Sequence, residues 1–197
     1  PASCTLENVL NKYNDISSMP KYDWTPVLVP GAVKGWEMMH QRFGKLPFKQ
    51  CLDPAIGLAE DGFVVGPMLA TMWQRADQHY RSIGNDDPRL KAWFDTFSFD
   101  GQPPKVHDIV RLKDHAATLK MIADHGSHPF YQGKVAHQIA AESHKFGGFI
   151  TYEDLANYQA EWVDPIIGHY RGYQIAQIPP NTQGILVLMA LNILEQL

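Results

Sequence analysis

Gly168-His169-Tyr170-Arg171-Gly172-Tyr173-Gln174-Ile175-Ala176-Gln177-Ile178-Pro179-Pro180-Asn181-Thr182-Gln183-Gly184 is followed by an apolar run from Ile185 to Leu194. Alternation of Tyr173, Ile175 and Ile178 around Arg171-Gly172 predicts a β-hairpin with its turn at or near that pair. Pro179-Pro180 makes a rigid corner, and the apolar run predicts a buried helix. No stop signal closes that helix before Leu197, so the expectation is a piece of a larger protein, with an unmatched hairpin edge that invites pairing.

Upstream, helix signals dominate. Leu6, Val9, Leu10 and Tyr13 share one helical face. Asn14 to Val29 reads as loop, broken by Pro20 and Pro26. Val33 to Phe43 predicts a helix with Val33, Trp36, Met39 and Phe43 facing inward, and Gly44 as a left-handed stop. Asp53-Pro54 reads as a cap followed by a first-turn proline, starting a helix that ends at Gly62. Pro67 to Tyr80 predicts a helix burying Leu69, Met72, Trp73, Ala76 and Tyr80. Asp87-Pro88 repeats the cap-then-proline device. Lys113 to His125 is stopped by Gly126, Gly133 to Phe146 by Gly147-Gly148, and Thr151 to Asp154 opens the next helix with a capping box. The fold class expected is mainly α with a small β-hairpin. Residues 1–160 form a helical array, and residues 161–197 a strand pair and the first part of a core helix. Such arrays often form one layer of a larger α/β protein.

Composition fits a globular protein: 45% of the 197 residues are hydrophobic and 19% are charged. A net charge of −4, with scattered Lys and Arg, argues against a nucleic-acid partner. The longest apolar stretch is too short to span a bilayer. Cys4 and Cys51 could pair across the sequence, but two buried free thiols are the expected state, with no metal spacing.

Little in the chain reads as a reactive centre. Of the histidine pairs, His125 and His128 straddle a glycine, and His137 and His144 are seven apart, so neither makes a metal pair and no metal is expected. No Gly-x-Ser-x-Gly elbow occurs, no local base activates Cys51, and no phosphate-cradling loop calls for a cofactor. Pro1, a secondary amine that could serve as a base, reads instead as the place where the piece begins. The one polar cluster of interest is Asn181, Thr182 and Gln183, candidates for substrate binding. They lie between a strand and a helix N-terminus, which favours an anion or oxyanion. The competing reading makes Asn181 or Thr182 an N-cap.

Several segments together resemble the γ-glutamyltransferase (γ-glutamyltranspeptidase, glutathione hydrolase) family. They are Val29 to Trp36, Phe43 to Pro47, Pro54 to Phe63, Phe130 to Ala136, Gly147 to Tyr158, and the tail. The resemblance implies a four-layer αββα N-terminal-nucleophile hydrolase, made as a precursor that cuts itself into large and small subunits. In that family the small subunit's N-terminal threonine attacks a γ-glutamyl amide, as in glutathione, and its own amine serves as base. Backbone amides hold the oxyanion, and a large-subunit arginine grips the substrate α-carboxylate.

By that resemblance the arginine lies just before Pro1-Ala2-Ser3 and the threonine well beyond Leu197. No catalytic residue therefore falls within this chain, which is expected to be an inactive internal piece of the large subunit, with the small subunit as its partner. Pro-Pro-Asn-Thr-Gln-Gly departs from the Ser-Ser-Gly-Gly spelling of the best-known members and looks closer to a γ-glutamyltransferase-like branch, leaving the acyl group open. The resemblance implies a periplasmic, secreted or cell-surface setting, with a cytoplasmic one also open. The alternatives are a stand-alone helical binding module, an acylase of the same fold acting on another amide, and a histidine metal hydrolase.

Overall fold

Thr151-Tyr152-Glu153-Asp154 shows how local spelling sets an element in this chain. The Thr151 side chain accepts from the Asp154 N–H, and the Asp154 carboxylate accepts from the Thr151 N–H, closing a capping box with aspartate in place of glutamate. In the computed structural model, residues 1–13, 16–84 and 86–196 are described. The first part of the loop expected from Asn14 lies outside them.

Eight of the helices are α1 (Leu6–Lys12), α2 (Ala32–Phe43), α3 (Phe48–Asp61), α4 (Pro67–Ile83), α5 (Lys91–Phe97), α6 (Lys113–His125), α7 (His128–Gln132) and α8 (Lys134–Lys145). The capping box opens α9 (Tyr152–Ala156), and the tail supplies α10 (Gly184–Leu194). Two antiparallel pairs complete the fold: β1 (Phe63–Val64) with β2 (Ile109–Val110), and β3 (Ile166–Tyr170) with β4 (Tyr173–Gln177). Among the described residues the chain is thus mostly helical with two small sheets, where the sequence predicts one hairpin. Bonds from Val65 N–H to the Asp108 carbonyl and from His107 N–H to the Val65 carbonyl extend the first pair, burying Val65 and Val110. Two-residue strands more than forty positions apart carry no readable alternation.

The chain divides into two compact units, Pro1–Gln159 and Ala160–Leu197. In the first, α3 packs on α6, and α7 packs on α6, α8 and α9. Val33, Ile122, Tyr131, Ala136, Ile150 and Leu155 form its core, with Phe48, Leu52 and Phe130 against it. Tyr131 stacks on Tyr158 at 5.6 Å between ring centroids. A β-carbon on Gly31 would come within 2.3 Å of the Tyr158 hydroxyl, so a side chain there would have to displace the Tyr158 ring from its stack.

In the second unit the register pairs Ile166 with Gln177 and Tyr170 with Tyr173, leaving Arg171-Gly172 as a two-residue turn. Both have positive φ, +47° and +82°, the signature of a type I′ turn. Helix α10 packs on both strands. Leu188, its buried residue, sits against Gly168, where any side chain would collide with it.

Several expectations fail. Of the predicted α2 stripe only Val33 is buried; Met39 and Phe43 are exposed, and Trp36 keeps 44% of its surface. On α4, Leu69 and Met72 are exposed, Trp73, Ala76 and Tyr80 are half-buried, and the buried residue is Asp77. Leu6 and Leu10 are likewise exposed. Periodicity marks a face that can be covered, and does not say what covers it. Gly44 ends α2 in extended backbone at φ −66°, whereas Gly126 ends α6 at φ +71° as expected. Pro54 lies inside α3, which begins six residues earlier behind Pro47. Asp87 caps a turn, accepting from the Arg89 N–H at 2.9 Å, and the helix follows only at Lys91. Cys51 is exposed and Cys4 half-buried, and both are free thiols, so the buried pair is not found.

Candidate functional site

Asn181, Thr182 and Gln183 sit between β4 and α10, all three exposed. The Thr182 hydroxyl donates to the Ile178 carbonyl at 3.0 Å, turning back to the strand end. It therefore does not cap α10. The N-cap is Gln183, which makes no side-chain cap bond, so the N-cap reading of Asn181 or Thr182 is corrected. The macrodipole of α10 favours negative charge at this turn. Among the described residues, the three side chains share no hydrogen bond with one another.

Three polar clusters in the first unit escaped the sequence reading. In one, Ser127 donates its hydroxyl to Glu37, receives the Lys34 ammonium at 3.1 Å, and gives its N–H to Glu37 at 3.0 Å. Burial alone would raise the Glu37 carboxyl, but the Ser127 donors and Lys34 hold it below the ordinary range. Beside them Tyr131 donates to the Pro30 carbonyl at 2.6 Å, and burial pushes its phenol up. A serine between a lysine and a carboxylate resembles an activated nucleophile. Here Ser127 is only 1% exposed, so no substrate carbonyl can reach it, and the cluster pins α7 to α2.

In the second cluster, Asp77 takes a two-pronged grip from Arg81 at 2.7 and 2.9 Å and a bond from Ser98 at 3.3 Å. Arg81 also lines a cleft of about 600 Å³ with Asp87, Lys91 and Asp95. The cations of that cleft are engaged by carboxylates: Arg81 by Asp77 and Lys91 by Asp95 at 2.5 Å. An anionic ligand would have to break those pairs. In the third cluster, Asp23 accepts from Thr25 and from Lys12. The histidines converge on no ion: among the described residues no group of three or more His, Cys, Asp or Glu could hold a metal. His137 instead stacks on Tyr152 at 4.3 Å.

Asp154 also escaped the sequence reading except as a cap. Its Oδ2 accepts from the Thr151 N–H at 2.9 Å, and its Oδ1 accepts from the Ala2 N–H at 2.7 Å, across 152 positions of sequence. Burial would raise its carboxyl, but those donors hold it low. No local pattern announces such a long-range partner.

The serine held between Lys34 and Glu37 is thus part of a buried frame, and comparison with known proteins gives that frame a setting. The gamma-glutamyltranspeptidase family model matches residues 1–197. The chain belongs to the γ-glutamyltranspeptidase family. It is 39% identical over 84% of its length to the glutathione hydrolase proenzyme of Escherichia coli K12, spanning 28% of that protein. It is 42% identical over 86% of its length to the acylase ACY 1 proenzyme of Pseudomonas sp. V22, spanning 29% of it. Among solved structures, the cephalosporin acylase of Bacillus halodurans matches with TM-score 0.92 and 43% identity over 100% of this chain and 36% of that one. The γ-glutamyltranspeptidase of Helicobacter pylori matches with TM-score 0.73 and 35% identity over 85% of this chain and 47% of that one. This γ-glutamyltranspeptidase-family chain therefore spans about three-tenths of the length of the curated relatives it matches. Among the described residues no helix is long and apolar enough to cross a membrane.

Proposed function

We propose that this chain is large-subunit framework of an N-terminal-nucleophile hydrolase that cleaves γ-glutamyl amides such as glutathione, passing the acyl group to water or an amine. The observation that carries the reading is the family match along all 197 residues, joined to 39% identity with a protein named glutathione hydrolase proenzyme. On this reading the nucleophile is a threonine outside the chain, at the new N-terminus of a small subunit cut from the same precursor. The helical array of residues 1–160 and the strand pair with α10 form one continuous part of a four-layer αββα fold. This chain's own work is structural: its buried serine beside Lys34 and Glu37 cannot be the attacking group, because attack needs contact with the acyl carbonyl.

A second reading, an acylase of the same fold acting on another amide, has its own support. The likeness to the Bacillus halodurans cephalosporin acylase covers 100% of the chain, against 85% for the Helicobacter pylori enzyme. A precursor containing this chain, purified after self-cleavage, separates the two. Release of 4-nitroaniline from γ-glutamyl-4-nitroanilide, lost when the new N-terminal threonine is changed to alanine, is the expected result. Turnover of a cephalosporin side-chain amide with none of the anilide would overturn the first reading in favour of the second.

A further inference from the structure

A groove of about 430 Å³ is lined by α5, α8 and the loop that carries Trp24. Its floor is apolar, made by half-buried Trp24, Ile139 and Phe146 and by exposed Ala92 of α5. Each helix brings one exposed ion pair to it: Lys91 with Asp95 at 2.5 Å on α5, and Lys145 with Glu142 at 3.2 Å on α8. The Lys145 ammonium lies 4.6 Å from the centre of the Phe146 ring, so charge meets the apolar floor directly. Arg89 also reaches this rim, but Asp87 grips it at 2.6 Å. Behind the floor is Ser143, one turn after Ile139 on the same face of α8 and one turn before Phe146. Ser143 is fully buried, and among the described residues its hydroxyl has no hydrogen-bond partner. It lies beside Trp24: a β-carbon on Gly148 would meet the Ser143 hydroxyl at 2.6 Å and the Trp24 β-carbon at 2.9 Å.

These parts fit one kind of occupant. An ion pair exposed on a helix adds little to stability, because water screens it and two long side chains must be held still. Both pairs therefore exchange partners at low cost. A purely anionic ligand would face Asp95 and Glu142, and a purely cationic one would face the two lysines. A zwitterion satisfies both signs at once, and a bulky apolar side chain on it covers the floor. We propose that the groove binds an apolar zwitterion, an α-amino acid or short peptide with an aromatic or branched side chain, its carboxylate on Lys91 and Lys145 and its ammonium on Asp95 and Glu142. Small-molecule sites are built this way, concave and mostly apolar with a few polar groups that fix orientation. The Ser143 hydroxyl is the spare donor of the site. A buried polar atom without a partner is costly to keep, and a peptide carbonyl that moves Trp24 aside satisfies it. Such binding is independent of which amide the enzyme cleaves.

Calorimetric titration of the purified full-length protein with phenylalanylglycine tests this. Saturable binding is expected, weakened about tenfold or more when the ammonium is acetylated or the carboxylate is made an amide, since each change removes a charged hydrogen-bond partner. Glycylglycine, which has nothing to cover the floor, should not bind measurably. Ala92→Trp, at an exposed position, fills the groove and should abolish binding without lowering the melting temperature. The double change Lys91→Gln and Lys145→Gln should make the protein bind the dipeptide and its amide equally, a signature that a peptide bound elsewhere would not give. Both lysines are exposed, so this variant decides the matter if Ala92→Trp does not fold. Ser143→Ala should weaken binding by a smaller factor. Absence of saturable binding, or an affinity that none of these variants changes, would overturn the proposal. A melting temperature lowered by Ala92→Trp in the full-length protein would overturn it as well, by showing the groove already filled by another part of the protein or by a partner's helix.

Discussion

Asp23 carries more hydrogen bonds than its place in an irregular loop suggests. Its Oδ1 accepts from the Thr25 N–H at 2.7 Å, the Thr25 hydroxyl at 2.6 Å and the Lys12 ammonium at 3.0 Å. Arg89 lies 3.5 Å from its other oxygen. Lys12 also reaches Thr25 and the Gly147 carbonyl, so one lysine joins α1, the loop and the end of α8. Burial would raise the Asp23 carboxyl, but the Thr25 and Lys12 donors drive it far below the ordinary range. A carboxyl whose pKa is lowered by folding adds stability above its unfolded pKa, about 3.9, and that stability fades as pH falls toward the folded value. Asp23→Ala, by leaving the N–H of fully buried Thr25 without its acceptor and taking away one of the acceptors of half-buried Lys12, is expected to cost about 1–3 kcal/mol at pH 7. Urea midpoints from pH 7 to pH 2 check this: the gap between wild type and variant should narrow below about pH 4. A constant gap would mean that Asp23 acts by packing and not by charge.

At the scale of elements, devices that close within a few residues were readable: the capping box at Thr151, the stop at Gly126, the turn at Arg171-Gly172. Each is decided by backbone geometry that its own residues impose. Burial is decided elsewhere, which is why the α2 stripe beyond Val33 stays exposed while Leu155, which no local pattern marks, has no surface exposed. Leu155→Ala is therefore expected to cost about 2–5 kcal/mol and Trp36→Ala about 1 kcal/mol, read as shifts in denaturant midpoint. Asp53-Pro54 does not start the helix, because Asp-Pro is also compatible with a proline carried inside a helix that other residues stabilise. Pro54 removes the N–H that would bond the Gln50 carbonyl and costs an interior helix position about 3 kcal/mol. Pro54→Ala should stabilise by about 2 kcal/mol after the unfolded chain regains entropy. A lower melting temperature in that variant would show that the proline fits a bend the neighbouring α6 requires. The candidate site was least legible of all, since the Ala2–Asp154 and Ser127–Glu37 contacts join residues at least ninety positions apart.

For the whole molecule, the unit Ala160–Leu197 poses the sharper energetic problem. Ile185, Leu188 and Leu191 recur every third residue on the side of α10 that keeps least surface, and Leu188 is buried. Apart from Asn192, the rest of the helix is as apolar as that stripe: Leu186, Val187, Met189, Ile193 and Leu194 are all exposed. A helix apolar on every side is one built to be covered on every side, and Ile167 and Tyr173 on the hairpin are exposed as well. Contiguous apolar surface of this kind marks an interface or an aggregation hazard. The 197 residues expressed alone should therefore bind a hydrophobic dye and self-associate. Changing Leu186, Met189 and Ile193 together to glutamine should abolish both behaviours while leaving the far-ultraviolet circular dichroism intact, because none of the three is buried here. In a self-cleaved precursor containing the chain the same triple change should have the opposite sign, lowering stability by several kcal/mol as three buried side chains are lost. Equal, small effects in both settings would mean that the outer face of α10 meets water in the mature protein, and a layer packed over it would have to be abandoned.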